Sequence, residues 1–308
     1  MFCSFTGGTR RDMGKIDAKT ALCGLMGNPV GHSISPFIHN TLADRLGINL
    51  AYTAFKVESG EVETAVKGAY ALGIKGMNVT VPYKQEVMRA LVSVDELAES
   101  IGAVNTLVRV DGGYKGYNTD YLGIKRQLAC DGIDIAGREV IVLGAGGASR
   151  AVTFMCAVTG AAKVYLMNRS IDKAEQLADD VNTYVAGECV HALSLDGYKE
   201  LKGYNDNSGY KYIVIQTTSK GLYPDVTGTP VEDEAFYDMI EAAVDIIFNP
   251  SETRFMHLVR AHGAKAYNGL EMLLYQGVAA FELWNDIRVP DELCRELYEL
   301  MKKEMGQN

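Results

Sequence analysis

Apolar residues in this 308-residue chain gather into short runs rich in Val and Ile, and between the runs they recur at every third or fourth position. The runs predict strands and the spaced stretches predict helices, because strand side chains alternate faces while a helix returns to one face about every 3.6 residues. The first elements are a strand from Ala21 to Met26, a helical pattern after Pro36, a strand from Tyr52 to Val57, a helix from Glu61 to Leu72 and a run from Gly76 to Val81. Strands alternating with helices imply parallel βαβ units. Ser93 to Glu96 has the spacing of a capping box opening a short helix that Gly102 would close. Asp111-Gly112-Gly113, between Thr106–Val110 and Tyr114, is a hairpin signal.

A second unit follows the helical stretch from Tyr121 to Cys130 and the Asp131-Gly132 turn. Glu139–Leu143, Lys163–Met167, Tyr212–Ile215 and Ala243–Ile247 are nearly continuous apolar runs, as expected of strands buried on both faces of a parallel sheet. Residues 203–209 are polar and read as a surface loop. Two further helices, Leu270 to Trp284 and Asp291 to Met305, have no strand to follow and are expected to return over the first unit. The reading is an α/β chain: an N-terminal α/β domain, then a doubly wound, parallel-sheet (Rossmann) domain. Residues 1–20 form a loosely ordered extension, 21–121 with 269–308 the first domain, and 122–268 the second.

Composition narrows the partners. Hydrophobic residues at 47% and charged residues at 22% describe an ordinary folding chain. Its 30 Lys and Arg against 39 Asp and Glu leave a net charge of −9, which disfavours nucleic acid. A small anionic ligand is still admissible, since salt screens distant charge beyond about 10 Å. The cysteines (Cys3, Cys23, Cys130, Cys156, Cys189, Cys294) are scattered, and neither they nor the five histidines have metal-ligand spacing. No metal is expected, and free thiols suit the cytoplasm. No export signal or run of about 18 apolar residues predicts a membrane partner. Apolar helix faces can cover a core or a second copy, so a homodimer is compatible with the pattern.

Gly144-Ala-Gly146-Gly147-Ala148-Ser149 directly follows a predicted strand and opens a predicted helix, the setting of a dinucleotide fingerprint. The glycines permit a tight turn and close approach of a pyrophosphate, and the helix start offers free N–H groups to it. At the end of the next strand stand Asn168, Arg169 and Ser170, with Lys173 a turn later and no acidic residue to grip a ribose 2′-hydroxyl. Arg169 can stack on adenine or pair with a 2′-phosphate, and Arg150, just after the glycine loop, could add a second charge. The expected cofactor is therefore NADP.

Polar residues cluster where strands of the first domain end: Ser33 and Ser35; Asn78, Thr80 and Lys84; Asn105; and Asn118 to Asp120. Such hydroxyls and amides suit a compact polyhydroxylated acid, although each alone also fits a turn or cap.

With these motifs in order, the chain closely resembles the shikimate dehydrogenase family. The resemblance runs through Gly27 to Pro36, Gly76 to Lys84, Gly102 to Thr106, Gly116 to Asp120, the glycine loop, Asn168-Arg169, Thr218 to Gly221, Asp245 to Pro250, and Gly269 to Leu273 with Gln276-Gly277. It implies reduction of 3-dehydroshikimate to shikimate with NADPH, in the biosynthesis of chorismate and the aromatic amino acids. It further implies that Ser33 and Ser35 bind the substrate carboxylate, that Asn78, Thr80, Asn105 and Gln276 hold ring hydroxyls, and that Lys84 and Asp120 form the catalytic pair. Thr218, Ile246 and Gly269 would lie along the nicotinamide, with Met272 near the transferred hydride. Gln216 departs from the family's usual Asn, which puts a cofactor contact there in doubt, and Ser170 replaces a frequent Thr. The family also includes quinate-using and dual-specificity members, and a ligand sensor that has lost its chemistry is the alternative outside enzymes.

Overall fold

The β-branched runs become strands of two six-stranded sheets. The computed structural model describes residues 16–206 and 208–306. Most of the predicted 1–20 extension lies outside the described residues; within them, the Thr20 hydroxyl donates to Asn49 Oδ1 at 2.7 Å and Asn49 Nδ2 donates to Asp17 at 3.1 Å, tying this segment to the loop before the second strand.

The first sheet holds β1 (Ala21–Gly27), β2 (Leu50–Lys56), β3 (Gly76–Val79), β4 (Ser93–Val94), β5 (Thr106–Val110) and β6 (Gly113–Tyr117) in the order β2-β1-β3-β5-β6-β4. It is mixed: β1 runs parallel to β2 and β3, but β5 is antiparallel to both β3 and β6. The Asp111-Gly112-Gly113 hairpin turns β5 back into β6. The start of β5 lies beside the end of β3, pairing Thr106 with Asn78. Around this sheet lie α1 (Ser35–Leu46), α2 (Val62–Ala71) and α3 (Glu96–Ile101). The expected capping box does not form: Ser93 and Val94 pair with β6 instead, and Asp95 precedes α3 without a side-chain cap. Gly102 does close the helix, at φ 70°.

Helix α4 (Asp120–Cys130) leads to the second sheet, made of β7 (Glu139–Leu143), β8 (Lys163–Asn168), β9 (Val190–Ser194), β10 (Tyr212–Gln216), β11 (Ile240–Asp245) and β12 (Lys265–Tyr267). The order is β12-β11-β10-β7-β8-β9 with every pair parallel. Its helices are α5 (Gly147–Val158), α6 (Ile171–Val185), the short α7 (Glu234–Tyr237) and α8 (Arg254–Ala261). Strand order reverses between β7 and β10, and in such sheets the crevice beyond the strand ends at the reversal is the ligand site.

Helices α9 (Leu270–Asn285) and α10 (Asp291–Glu304) return to the first sheet, as their pattern predicts. Leu274, Val278, Phe281, Trp284, Leu297 and Met301 share one core with Cys23, Leu25, Ile38 and Leu42. The two helices that pass between the sheets, α4 and α9, lie against each other. A Cβ on Gly123 would stand 2.6 Å from the Met272 carbonyl oxygen, so only glycine permits this approach. Gln127 locks the crossing, donating to the Asn268 carbonyl at 2.7 Å and accepting from Met272 N at 3.1 Å. Among the described residues, no helix is long and apolar enough to cross a membrane.

Candidate active site

A cavity of about 350 Å³ opens where β1, β3 and the start of β5 meet the helices that join the sheets. Its wall includes Ser33, Ser35, Asn78, Thr80, Lys84, Asn105, Asp120 and Gln276, together with Ile246, Gly269 and Met272. All eight residues expected to meet the substrate, and three of those expected beside the nicotinamide, thus share one space.

Local structure explains the gathering. Pro36 sits in the first turn of α1, and Ile34 rather than a serine takes the cap position. Ser33 Oγ accepts from Ser35 N at 3.2 Å and donates to Ser35 Oγ at 3.1 Å. Lys84 follows a turn pinned by the buried Tyr83, whose hydroxyl donates to the Val57 carbonyl at 2.8 Å. The Lys84 carbonyl itself accepts from Val104 N at 2.8 Å. Asp120 opens α4, where the helix dipole favours a carboxylate.

These placements put Lys84 Nζ 2.7 Å from Asp120 Oδ2. The other carboxylate oxygen accepts from Asn105 Nδ2 at 2.9 Å. Asn105 Oδ1 in turn accepts from Thr119 N at 2.7 Å and from the hydroxyls of Thr106 and Thr119. Asn78 Nδ2 donates to Thr106 Oγ1 at 3.1 Å and to the Asn105 carbonyl at 3.3 Å. The result is a continuous buried network ending at one ammonium group that faces the cavity. A lysine so held, with hydrogens left over, can hydrogen-bond a substrate oxygen and give it a proton.

The glycine loop lies across the crevice beyond β7. Gly144 adopts φ +110°, and a Cβ there would meet Thr217 Oγ1 at 2.8 Å and Thr218 Cγ2 at 3.0 Å. Around the Cβ positions of Gly146 and Gly147, by contrast, no atom lies within 4 Å, which leaves the start of α5 open to a phosphate. Ala148 continues that turn. Ser149 faces inward, its hydroxyl donating to the Gly144 carbonyl, so it braces the loop rather than lining its outer surface. At the end of β8, Asn168 Nδ2 donates to the Ser170 carbonyl at 2.9 Å. Arg169 and Lys173 are exposed, and among the described residues neither forms an ion pair. Arg150 departs from expectation: its guanidinium is spent on Asp180 at 2.9 Å and on the carbonyls of Ile101 and Ser100. Gly269 packs so tightly that a Cβ would overlap the Ile246 carbonyl, which sets the start of α9 against the end of β11.

Family models match in three stretches: "Shikimate dehydrogenase substrate binding domain" over residues 25–107, "Shikimate / quinate 5-dehydrogenase" over 127–201 and "Shikimate 5'-dehydrogenase C-terminal domain" over 269–297. A shikimate dehydrogenase (NADP(+)) of Caldanaerobacter subterraneus subsp. tengcongensis is 43% identical over 270 residues, covering 88% of this chain and 93% of that one. The chain belongs to the shikimate dehydrogenase family. Among solved members, the Thermus thermophilus enzyme in complex with NADP(H) and shikimate superposes with a TM-score of 0.78 at 31% identity, covering 91% of this chain and 98% of that one. Quinate dehydrogenase from Corynebacterium glutamicum, in complex with NAD, gives a TM-score of 0.81 at 29% identity, covering 92% and 99%.

Within the family, the Gln216 departure resolves structurally. Its side chain is fully buried and committed within the protein, donating to Asp245 and to the carbonyls of Thr218 and Lys220. Residues that the motifs did not single out also serve the site. Tyr52 donates to Asn78 Oδ1 at 2.8 Å, and Gln127 anchors the backbone around Met272. The one available signal for Tyr52 is a phenol in an apolar run, whose hydroxyl must find a partner when buried.

Proposed function

We propose that the chain is an NADP-dependent shikimate dehydrogenase, reversibly reducing 3-dehydroshikimate to shikimate on the route to chorismate and the aromatic amino acids. The observation that carries this reading is the 2.7 Å Lys84–Asp120 pair in a cavity walled by hydroxyls and amides. The reading makes residues 21–121 and 269–308 the substrate domain and 122–268 the cofactor domain, with the cavity between them.

Ser33 and Ser35 would take the substrate carboxylate, and Asn78, Thr80, Asn105 and Gln276 its ring hydroxyls. Gly144, Gly146, Gly147, Ala148 and Ser149 form the loop for the cofactor's pyrophosphate. Asn168, Arg169 and Lys173 flank its adenosine 2′-phosphate, which the open, unpaired cations fit. Thr218, Ile246, Gly269 and Met272 bound the nicotinamide. Bound there, NADPH supplies the hydride. Negative charge then builds on the ketone oxygen, and Lys84 meets it with a hydrogen bond and gives up a proton. Asp120, held by Asn105, orients the ammonium and offsets its charge. In the oxidative direction the pair accepts the proton as a unit.

The same reading places the enzyme in the cytoplasm and leaves a homodimer as the assembly to be tested by light scattering. Initial rates with shikimate and with quinate, each with NADP⁺ and NAD⁺, test the activity on wild type and Lys84→Ala side by side. Turnover confined to shikimate with NADP⁺ and lost in the variant is expected. Preference for quinate or NAD⁺ would instead place the chain with the quinate-using members, and ligand binding without any turnover would make it a sensor.

A further inference from the structure

Behind the cavity lies a buried aromatic cluster that the chemistry above does not use. Tyr52, from the middle of β2, is 4% exposed, and its ring stacks on His39 with centroids 4.2 Å apart at 19°. Trp284 closes the cluster, its centroid 5.0 Å from His39 and 6.0 Å from Tyr52, with its indole N–H donating to the Leu107 carbonyl at 2.9 Å. His39 is fully buried, and among the described residues neither ring nitrogen has a hydrogen-bond partner. Burial pushes its pKa down to about 3, so it packs as a neutral ring. The cluster fixes the Tyr52 ring, and one polar atom leaves it toward the cavity, the Tyr52 hydroxyl.

The direction of that hydrogen bond can be worked out. The Asn105 carbonyl only accepts, so the Asn78 group 3.3 Å from it must be the amide nitrogen. Both amide hydrogens of Asn78 are then committed, to Asn105 O and Thr106 Oγ1. Its oxygen faces Tyr52, which must donate. The phenol holds its proton at any working pH, since burial raises its pKa well above the ordinary value. The Ser35 hydroxyl stands beside the same phenol and partly offsets that rise. Asn105 is fixed in the opposite sense. Thr119 N can only donate, so Asn105 presents its oxygen there, and its nitrogen spends one hydrogen on Asp120.

We propose that Tyr52 is a positioning residue for substrate recognition, holding Asn78 so that this amide offers the substrate an acceptor while neighbouring Asn105 offers a donor. This rests on the assignment of Asn78 and Asn105 to the substrate. The cavity then selects an acid with a hydroxyl hydrogen directed at Asn78 and an oxygen directed at Asn105, and it discriminates against an analogue lacking the first hydroxyl.

The test is Tyr52→Phe, which deletes one buried oxygen. Steady-state constants are measured for shikimate and for two deoxy analogues, each lacking one ring hydroxyl that is not oxidised, with thermal unfolding as the folding control. Loss of an oriented hydrogen bond should raise the shikimate KM about tenfold, with kcat and the NADP⁺ KM within about twofold. The analogue lacking the hydroxyl at Asn78 should show no further rise in the variant, while the other shows the full effect. An equal rise for all three compounds, a fall in kcat with a matching rise in the NADP⁺ KM, or no change at all would overturn the role. Asn78→Ala separates the two levels: if it leaves the shikimate KM untouched, or if wild type turns over neither shikimate nor quinate, the functional assignment fails. Where wild type and Asn78→Ala behave as expected and Tyr52→Phe does not, only the present inference fails.

Discussion

Gln216 and Asp245 are directly paired across β10 and β11, with the amide nitrogen 3.2 Å from the carboxylate. The same carboxylate accepts from Thr253 Oγ1 at 2.6 Å and Ile247 N at 3.0 Å. The loop carrying Thr218 is thereby folded around the Gln216 amide, and the segment carrying Ile246 around Asp245. Two segments at the crevice share one buried polar pair.

That pair predicts a pH dependence. Burial raises the Asp245 pKa from 3.8 to about 6 despite its three donors. A raised value means that the folded state holds the proton more tightly, so the contribution is complete below pH 3.8 and is lost as pH rises through about 6. Asp245→Asn removes this titration. The unfolding free energy of wild type relative to the variant should fall by about 3 kcal/mol across that interval and stay flat above it. Urea titrations at half-unit pH steps measure it; parallel pH curves for the two proteins would count against it.

Asp120→Asn keeps the shape of the Lys84 partner and removes its charge. Turnover should drop by about 10²–10³ while the KM for NADPH stays within about twofold. A variant that loses cofactor affinity in step with turnover would point instead to a collapsed domain junction.

Arg169 has no acidic partner among the described residues and lies at the end of β8. Arg169→Ala should raise the NADP⁺ KM about 10- to 100-fold and change the NAD⁺ KM much less, since one charge-assisted contact to the 2′-phosphate is removed. Equal losses with both cofactors would leave only adenine stacking for this side chain.

Arg150 makes the opposite case. It ties α5 to the carbonyl end of α3, in the other domain, and to Asp180. Arg150→Ala should cost about 1–3 kcal/mol in stability and leave the NADP⁺ to NAD⁺ preference unchanged. Steady-state kinetics with both cofactors would expose a phosphate-binding role, if it had one, as a loss of that preference.

The central strands were legible because both faces are buried: Glu139–Leu143 has the bounds read from its apolar run. The edge strands β9 and β12 carry no such apolar run, since each has one covered flank and includes residues such as His191, Ser194 and Lys265. The apolar run at the last long strand, Ala243–Ile247, begins three residues late and ends two late against Ile240–Asp245, because apolar residues continue past the strand. Ile246 and Phe248 are apolar for the cavity's sake, not the sheet's. In the site, residues with polar atoms facing the cavity form recognisable motifs. Tyr52 and Gln127 do not, because their polar atoms are spent inside the protein, where spacing distinguishes them poorly from ordinary core. Arg150 is not legible for a related reason: nearness to the glycine loop in sequence says nothing about which carbonyls compete for a guanidinium.

The return of α9 and α10 also sets an order of events during synthesis. The first sheet leaves the ribosome early, yet the core around Cys23, Leu25, Ile38 and Leu42 is completed by Leu274, Phe281, Trp284 and Met301. The second sheet has all its strands before α9 begins. The growing chain can therefore finish its later half first, and the earlier half waits with an open apolar face until its last helices arrive.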